Sequence, residues 1–362
     1  MSKLEPKKKA TITDVAKAAG VATGTVSRVF NRHADVNEEI RQRVLAAANE
    51  LGYVRLRQRK STRSGVSQKQ GNIGIICFGM EDTLIQIPII SRALQGVEHS
   101  LSNEGRNLMI ANIPRGDRIP PFLVEGKVEG LILKGPNQGK LPPVQNYELL
   151  KYIYRLPHIW LMGKLSGAEG DHCNFDTWEA SHLAVDYFAE KGHKHVAFFN
   201  PKPGQTQFER LKSTFLVACQ EKGVDSSLLE VEPPTELQWP LPAITQTENV
   251  FHLVEDWLAI PKEQRPTGLF VPSDRTSIQL YTALERKGLR AGRDVSIISC
   301  NNEKSMTANL HPALASIDVH AELIGHRAVD QLLWRIAHPN VETDMEILIK
   351  PSLIRGESVT NP

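Results

Sequence analysis

From Thr23 to Asn31 the chain reads TGTVSRVFN. The hydroxyls of Thr23, Thr25 and Ser27, the guanidinium of Arg28 and the amide of Asn31 are the side chains here that could do chemistry. Wound as a helix, Thr23, Gly24, Ser27 and Arg28 share one face, while Val26, Val29 and Phe30 share the other. Short donors and one forked cation on an otherwise slim face suit hydrogen bonding to nucleic-acid base edges. An arginine fork matches guanine O6 and N7, the commonest specific contact of that kind.

Such a face must be held by neighbours, and the flanking sequence supplies them. A helix is expected from about Thr13, read as its N-cap, with Val15, Ala16, Ala18 and Ala19 as a small apolar face and Gly20 as a left-handed stop. Val21 anchors the turn, and the second helix runs from Thr23 to Asn31. A third starts after Asn37, whose followers Glu38 and Glu39 suit the positive end of a helix dipole. Ile40, Val44, Ala47 and Leu51 lay one stripe along it, and Gly52 ends it. Two short helices joined by a glycine turn form a helix-turn-helix. The DNA-facing set is therefore Thr13, Thr23, Gly24, Thr25, Ser27, Arg28 and Asn31.

The chain of 362 residues is too long for one ordinary core, and its net charge of +2 hides a division. Residues 1 to 70 hold 15 Lys or Arg against 6 Asp or Glu, and the remainder holds 28 against 35. A basic end on an acidic body points to nucleic acid at that end alone. Residues 54 to 70, VRLRQRKSTRSGVSQKQ, carry six basic side chains and no acidic one, and read as a linker. Arg55, Arg57 and Arg59 join the DNA-facing set as phosphate or minor-groove contacts. No apolar run has the length of a signal peptide or a membrane helix, so a cytoplasmic protein without a membrane partner is expected. Cys77, Cys173, Cys219 and Cys300 are too scattered for a metal or disulfide framework. His193 and His195 form an H-x-H that reads as structural, because no third ligand is evident.

From Gly71 onward, short β-branched runs alternate with amphipathic stretches, the mark of parallel α/β structure. Strands are expected at 73–78, 108–113, 130–133, 159–162, 195–199, 268–271, 295–299 and 347–349. Helices are expected at 89–103, 179–191, 209–222, 276–287 and 321–337. That number allows two Rossmann-like lobes, whose ligands would bind beyond the carboxyl ends of the strands.

D-V-A-x-x-A-G-V-x-x-x-T-V-S-R-V-x-N, here Asp14 to Asn31, and E-L-G-Y, here Glu50 to Tyr53, resemble the DNA-binding head of the lac-repressor (LacI-type) family. The body resembles it more loosely, at Phe188 to Ala197, at Arg275 to Ser296 and at Pro351 to Ser358. The resemblance implies an N-terminal all-α helix-turn-helix head plus a two-lobed α/β, periplasmic-binding-protein-like body. It also implies a homodimer on a double-stranded operator, a small-molecule effector with a carbohydrate as one class, and no cofactor. The expected boundaries are 1–53 for the head, 54–70 for the linker and 71–362 for the effector-binding and dimerisation body. By the same resemblance, effector contacts would come from Met80, Met162, Phe175, Asp176, Arg210, Trp239, Ser273, Asp274 and Asn301.

The chain departs from that pattern in two places. Met162 and Ser273 stand where relatives have Asp and Asn, and Asn301 with Asn302 replaces an acidic pair, so strong acceptors for sugar hydroxyls are lost. In the linker, Arg55, Leu56, Arg59, Lys60 and Thr62 occupy the places of a hinge helix whose leucine wedges into the minor groove. That wedge is missing unless Leu56 takes it in another register. A solute-binding protein would share the body but not the head, and a regulator without an effector would keep both. No nucleophile elbow, Walker loop, G-x-G-x-x-G or H-E-x-x-H suggests an enzyme.

Overall fold

The computed structural model describes residues 11–30, 36–51, 53, 71–80, 87–136, 138, 140–141, 147–233, 239–241 and 249–362. Asn31 and all of 54–70, including Arg55, Arg57 and Arg59, lie outside the described residues, as does Gly52. The chain divides into two compact units, Met1–Gln68 and Lys69–Pro362.

The head holds α1 (Ile12–Ala19), α2 (Thr23–Phe30) and α3 (Glu38–Glu50). The N-cap of α1 is Thr11 rather than Thr13. Thr11 Oγ1 accepts from Asp14 N, and the Asp14 carboxylate accepts from Thr11 N at 2.8 Å, a reciprocal capping box. That arrangement needs an acid three residues on, which Thr11 has and Thr13 lacks. Gly20 turns left-handed at φ 65° and ends α1. Val15, Ala16, Ala19, Val26, Val29, Val44, Ala47 and Ala48 form the buried core, with Phe30 and Tyr53 stacking against its edge, 5.7 Å between centroids. Ala18 and Leu51 are exposed, against expectation. Ala48 takes the stripe position of Leu51, because the heptad-like spacing drifts around a straight helix by the last turn. Asn37 caps α3 through Glu39 N, 2.8 Å away.

In the body, lobe 1 is a wholly parallel six-stranded sheet ordered β11-β5-β4-β3-β1-β2. Its strands are β1 (Asn72–Phe78), β2 (Leu108–Ile113), β3 (Val128–Lys134), β4 (His158–Leu161), β5 (Asp171–Phe175) and β11 (Glu346–Ile349). Lobe 2 is ordered β12-β10-β9-β8-β6-β7 and is parallel except for β12. It holds β6 (His195–Asn200), β7 (Asp225–Glu230), β8 (Gly268–Phe270), β9 (Ser296–Cys300), β10 (Ala315–Asp318) and β12 (Ser352–Ile354). β5, β7, β10 and β12 escape sequence reading because DHCNF, DSSLLE, ASID and SLI are polar or short, and pairing rather than propensity makes them strands.

Helices α4 (Pro88–Asn103), α7 (Thr177–Glu190), α8 (Thr206–Lys222), α9 (Val250–Ala259), α10 (Asp274–Arg286) and α12 (Ala321–Ala337) cover the sheets. Single turns α5 (Pro121–Val124) and α11 (Lys304–Thr307) and the short α6 (Glu148–Ile153) fill the connections. Covered on both sides, strands such as β1 read as continuous apolar runs. The chain passes from lobe 1 to lobe 2 after β5, returns between β10 and α12, and crosses again between β11 and β12. In each sheet the order reverses beside the first strand, at β1 in lobe 1 and β6 in lobe 2. Ligands of such sheets bind at that switch point, beyond the carboxyl ends.

Candidate nucleic-acid interface and effector cleft

Within the head, α2 buries Val26 and Val29 and exposes Thr23, Gly24 and Arg28, with Thr25 and Ser27 half-buried beside them. Nothing lies within 4 Å of where a Cβ on Gly24 would be, so this face is open to a groove. α3 fixes the first two helices, because Arg43 Nη2 donates to Ala19 O at 3.0 Å and ties the end of α1. Thr13 is exposed in the first turn of α1. A slim polar face on a three-helix scaffold can enter a major groove with its N-terminal residues foremost.

In the body, segments that follow strand ends in one lobe meet segments of the other, in the region where a cleft ligand would bind. The connection from β7 to α9 reaches across to lobe 1, where Leu241 N donates to Gly79 O at 2.9 Å and Leu241 bridges Met80. Trp239 then sits at the lobe 1 switch point, its ring 5.9 Å from Tyr147 and 6.5 Å from Phe78 between centroids. The fit needs glycine at position 79, since a Cβ there would stand 2.5 Å from the Trp239 ring. Trp239 Nε1 and Tyr147 Oη lie beside each other, yet neither completes a hydrogen bond among the described residues.

Other expected effector contacts scatter in role. Met80, Met162 and Phe175 are buried at the ends of β1, β4 and β5. Met162 adopts φ 56° and Asn301 φ 113°, left-handed geometry that costs side-chain-bearing residues about 1–3 kcal/mol and collects at ligand sites. Asp176 caps α7 through Trp178 N and Glu179 N, and Ser273 caps α10 through Thr276 N. Asp274 is wholly buried, accepting from Ser316 Oγ at 2.8 Å and from Glu303 N. It ties the strand ends of lobe 2 together. Arg210 extends to Glu346 of lobe 1 at 3.2 Å, and Glu346 also meets His172 Nε2 at 2.7 Å. Glu346 is held below the usual carboxylate range by His172 and Arg210, against the opposing effect of partial burial.

Sequence reading missed four polar side chains of the body with telling surroundings. Lys134, at the end of β3, is buried, and burial pushes its ammonium down to about 8. A lysine closing the apolar run LIL was its only signal. Gln207 of α8 accepts from Asn174 Nδ2 of β5 at 2.7 Å, while its own Nε2 is buried without a partner among the described residues. Glu303 Oε1 accepts from Ile89 N of lobe 1 at 2.7 Å, and Arg92 Nη1 reaches Asn302 O nearby. Burial first, and then the neighbouring Asp274 charge, push Glu303 up to about 7. Glu346, at the start of a strand, gave no signal at all. His193 is structural, bonded to Thr267 Oγ1 and Thr360 O, and all four cysteines are buried and free.

A helix-turn-helix head beside a two-lobed α/β body whose strand ends converge on a cleft defines a DNA-binding transcriptional regulator. Residues 11–55 match the lacI family of bacterial regulatory proteins, and residues 185–359 match a periplasmic binding protein-like domain. The PurR repressor of Aliivibrio fischeri is 25% identical over 358 residues, covering 97% of this chain and 99% of its own length. Among solved structures, the lac repressor dimer bound to operator and the anti-inducer ONPF superposes with a TM-score of 0.61 at 20% identity. That likeness covers 98% of this chain and 100% of the lac repressor chain. The CelR regulator–cellobiose complex gives 0.62 at 19%, covering 97% and 100%. The chain thus carries a lacI-family head and a periplasmic binding protein-like domain, and it is a regulator rather than an enzyme.

Proposed function

We propose that this protein is a cytoplasmic repressor that binds a near-palindromic operator as a homodimer, with residues 1–53 as the reading head, 54–70 as a basic linker and 71–362 as the sensing and dimerising body. The exposed polar face of α2 carries this reading, with Arg28 as the leading base reader and Thr23, Gly24, Thr25, Ser27 and Asn31 beside it. Thr13, Arg55, Arg57 and Arg59 are assigned to the DNA backbone or minor groove. Operators selected from random duplexes should be retained by the whole chain and lost by residues 69–362 alone. Equal retention by the two would sink the assignment.

The body, on this reading, binds a small polar molecule against Met80, Met162, Phe175, Asp176, Arg210, Trp239, Ser273, Asp274 and Asn301. Support comes from the left-handed Met162 and Asn301 and the buried, unpartnered Gln207 Nε2 and Trp239 Nε1, which are donors that a hydroxylated ligand would satisfy. CelR was solved with cellobiose, so a carbohydrate is the first class to try. Binding that favours one lobe arrangement would couple the cleft to the DNA. A second reading, regulation without an effector, is favoured by Trp239, which already fills the lobe 1 switch point. A sugar and nucleobase panel read by tryptophan fluorescence and operator affinity separates the two. A ligand that moves both supports the first, and silence across the panel supports the second.

A further inference from the structure

Helices α4 and α12 pack on lobe 1 at a distance that only glycine permits. A Cβ on Gly96 would lie 2.0 Å from Glu322 O, and one on Gly325 would lie 2.0 Å from Ala93 O. This contact fixes both backbones and sets His99 of α4 against Glu322 and His326 of α12, themselves one turn apart on one face. One ligand-capable atom from each of the three lies within 4.8 Å of the other two. The two imidazoles stand edge to face at 5.5 Å, and His326 Nε2 is 3.8 Å from Glu322 Oε1. Ser100 Oγ lies 2.6 Å from His326 Nδ1. With Nδ1–H donating to Ser100, the Nε2 lone pair is left on the side of Glu322, as an outer hydrogen bond does for many metal-binding histidines.

We infer that His99, Glu322 and His326 form a surface site for a divalent transition-metal ion of zinc's borderline class, with Ser100 orienting His326. Two imidazoles and one carboxylate are the donor set such ions take, and a fourth position stays open to water. Ligands about 2.0–2.2 Å from tetrahedral zinc stand roughly 3.3–3.5 Å apart. The present spacing therefore closes by small side-chain rotations. His99 and Glu322 are exposed and free to make them, while the half-buried His326 stays anchored. The ion would staple two helices that each lie next to a connection with lobe 2. The first turn of α4 holds Ile89, bonded to Glu303 of lobe 2, and α12 begins at the crossover from β10.

The test uses tag-free, full-length protein stripped by a chelator and titrated with Co²⁺, followed by visible absorption and then by Zn²⁺ competition. One equivalent should bind with a nitrogen and oxygen spectrum and no thiolate charge-transfer band, since every cysteine is buried. His99→Ala and His326→Ala should each abolish the spectrum, and Ser100→Ala should weaken binding about tenfold or more. His252→Ala, at an exposed histidine on α9, should change nothing. Thermal unfolding in chelator should be alike for wild type and the His99→Ala variant, and Zn²⁺ should raise only the wild-type midpoint. No saturable binding, binding that survives loss of both histidines, or a sulfur band would overturn the site.

Discussion

Glu303→Gln tests how the two lobes are held together. Glu303 is 3% exposed, accepts Ile89 N across the lobes and lies beside the wholly buried Asp274, so its carboxyl is raised from 4.5 to about 7 by burial and by that charge. A folded-state value above the unfolded one means that the folded protein holds the proton longer. The stabilisation is complete below pH 4.5, declines as pH climbs toward 7, and is gone above it. At about 1.36 kcal/mol per unit, the whole change is on the order of 3 kcal/mol. Glutamine keeps an acceptor for Ile89 N, carries no charge and offers its amide to Asp274. Urea unfolding of the body at pH 5 to 8 should therefore show wild type losing stability across this window relative to Glu303→Gln. The variant should be the more stable protein at pH 8. A difference between the two that stays flat with pH would refute the argument.

Arg28→Ala should lower operator affinity by about 1–3 kcal/mol and random-duplex affinity far less, measured by fluorescence anisotropy on both; equal losses would make Arg28 a phosphate contact. Thr11→Ala removes one side of the capping box and should destabilise the head by about 1 kcal/mol, seen in thermal melts of the full chain as earlier loss of operator binding. Trp239→Ala should cost about 2 kcal/mol of body stability, less than the 3–5 typical of fully buried tryptophan because the ring is only half-buried. It should also open the lobe 1 switch point, so a ligand for this cleft should bind the variant with altered affinity. Arg57 and Arg59 changed together to Ala should flatten the salt dependence of DNA binding while base preference holds. In a circular-permutation gel, a central bend that Leu56→Ala removes would instead restore the leucine wedge.

What the sequence made legible follows from what is local. The α2 face, the Gly20 stop, the Asn37 cap and the apolar runs of β1 and β3 each depend on residues within a few positions of one another, so periodicity exposes them. The Thr11 cap is legible too, through Asp14 three residues on, a signal that Thr13 lacks. Polar strands such as β5 become strands only because β4 and β11 flank them, which no short window reveals. The ligand contacts of the body have the weakest local signal. Residues named there by resemblance are split among helix caps, a buried lobe 2 node and a lobe-crossing plug, because a long-range partner such as Glu346 for Arg210 leaves no trace near either residue.

These partners also decide which lobe contacts a ligand can displace. A ligand shifts the lobes only by its differential affinity for the two arrangements, so the ties it must break set the scale of the switch. Arg210 and Glu346 are each nearly half exposed, and a pair of that kind contributes about 0–1 kcal/mol. A hydroxyl or carboxylate offered to Arg210 can replace Glu346 at little cost. The tie between Ile89 N and Glu303 is buried, and leaving that donor unmet costs about 1–3 kcal/mol. Effector exchange should therefore proceed at the Arg210 side while the Glu303 side acts as the pivot. Glu346→Gln should consequently change effector affinity with little change in body stability, whereas Glu303→Ala should lower stability at pH 5, where the neutral carboxyl accepts from Ile89 N. A Glu346→Gln protein that unfolded as readily as Glu303→Ala would reverse the assignment of hinge and gate.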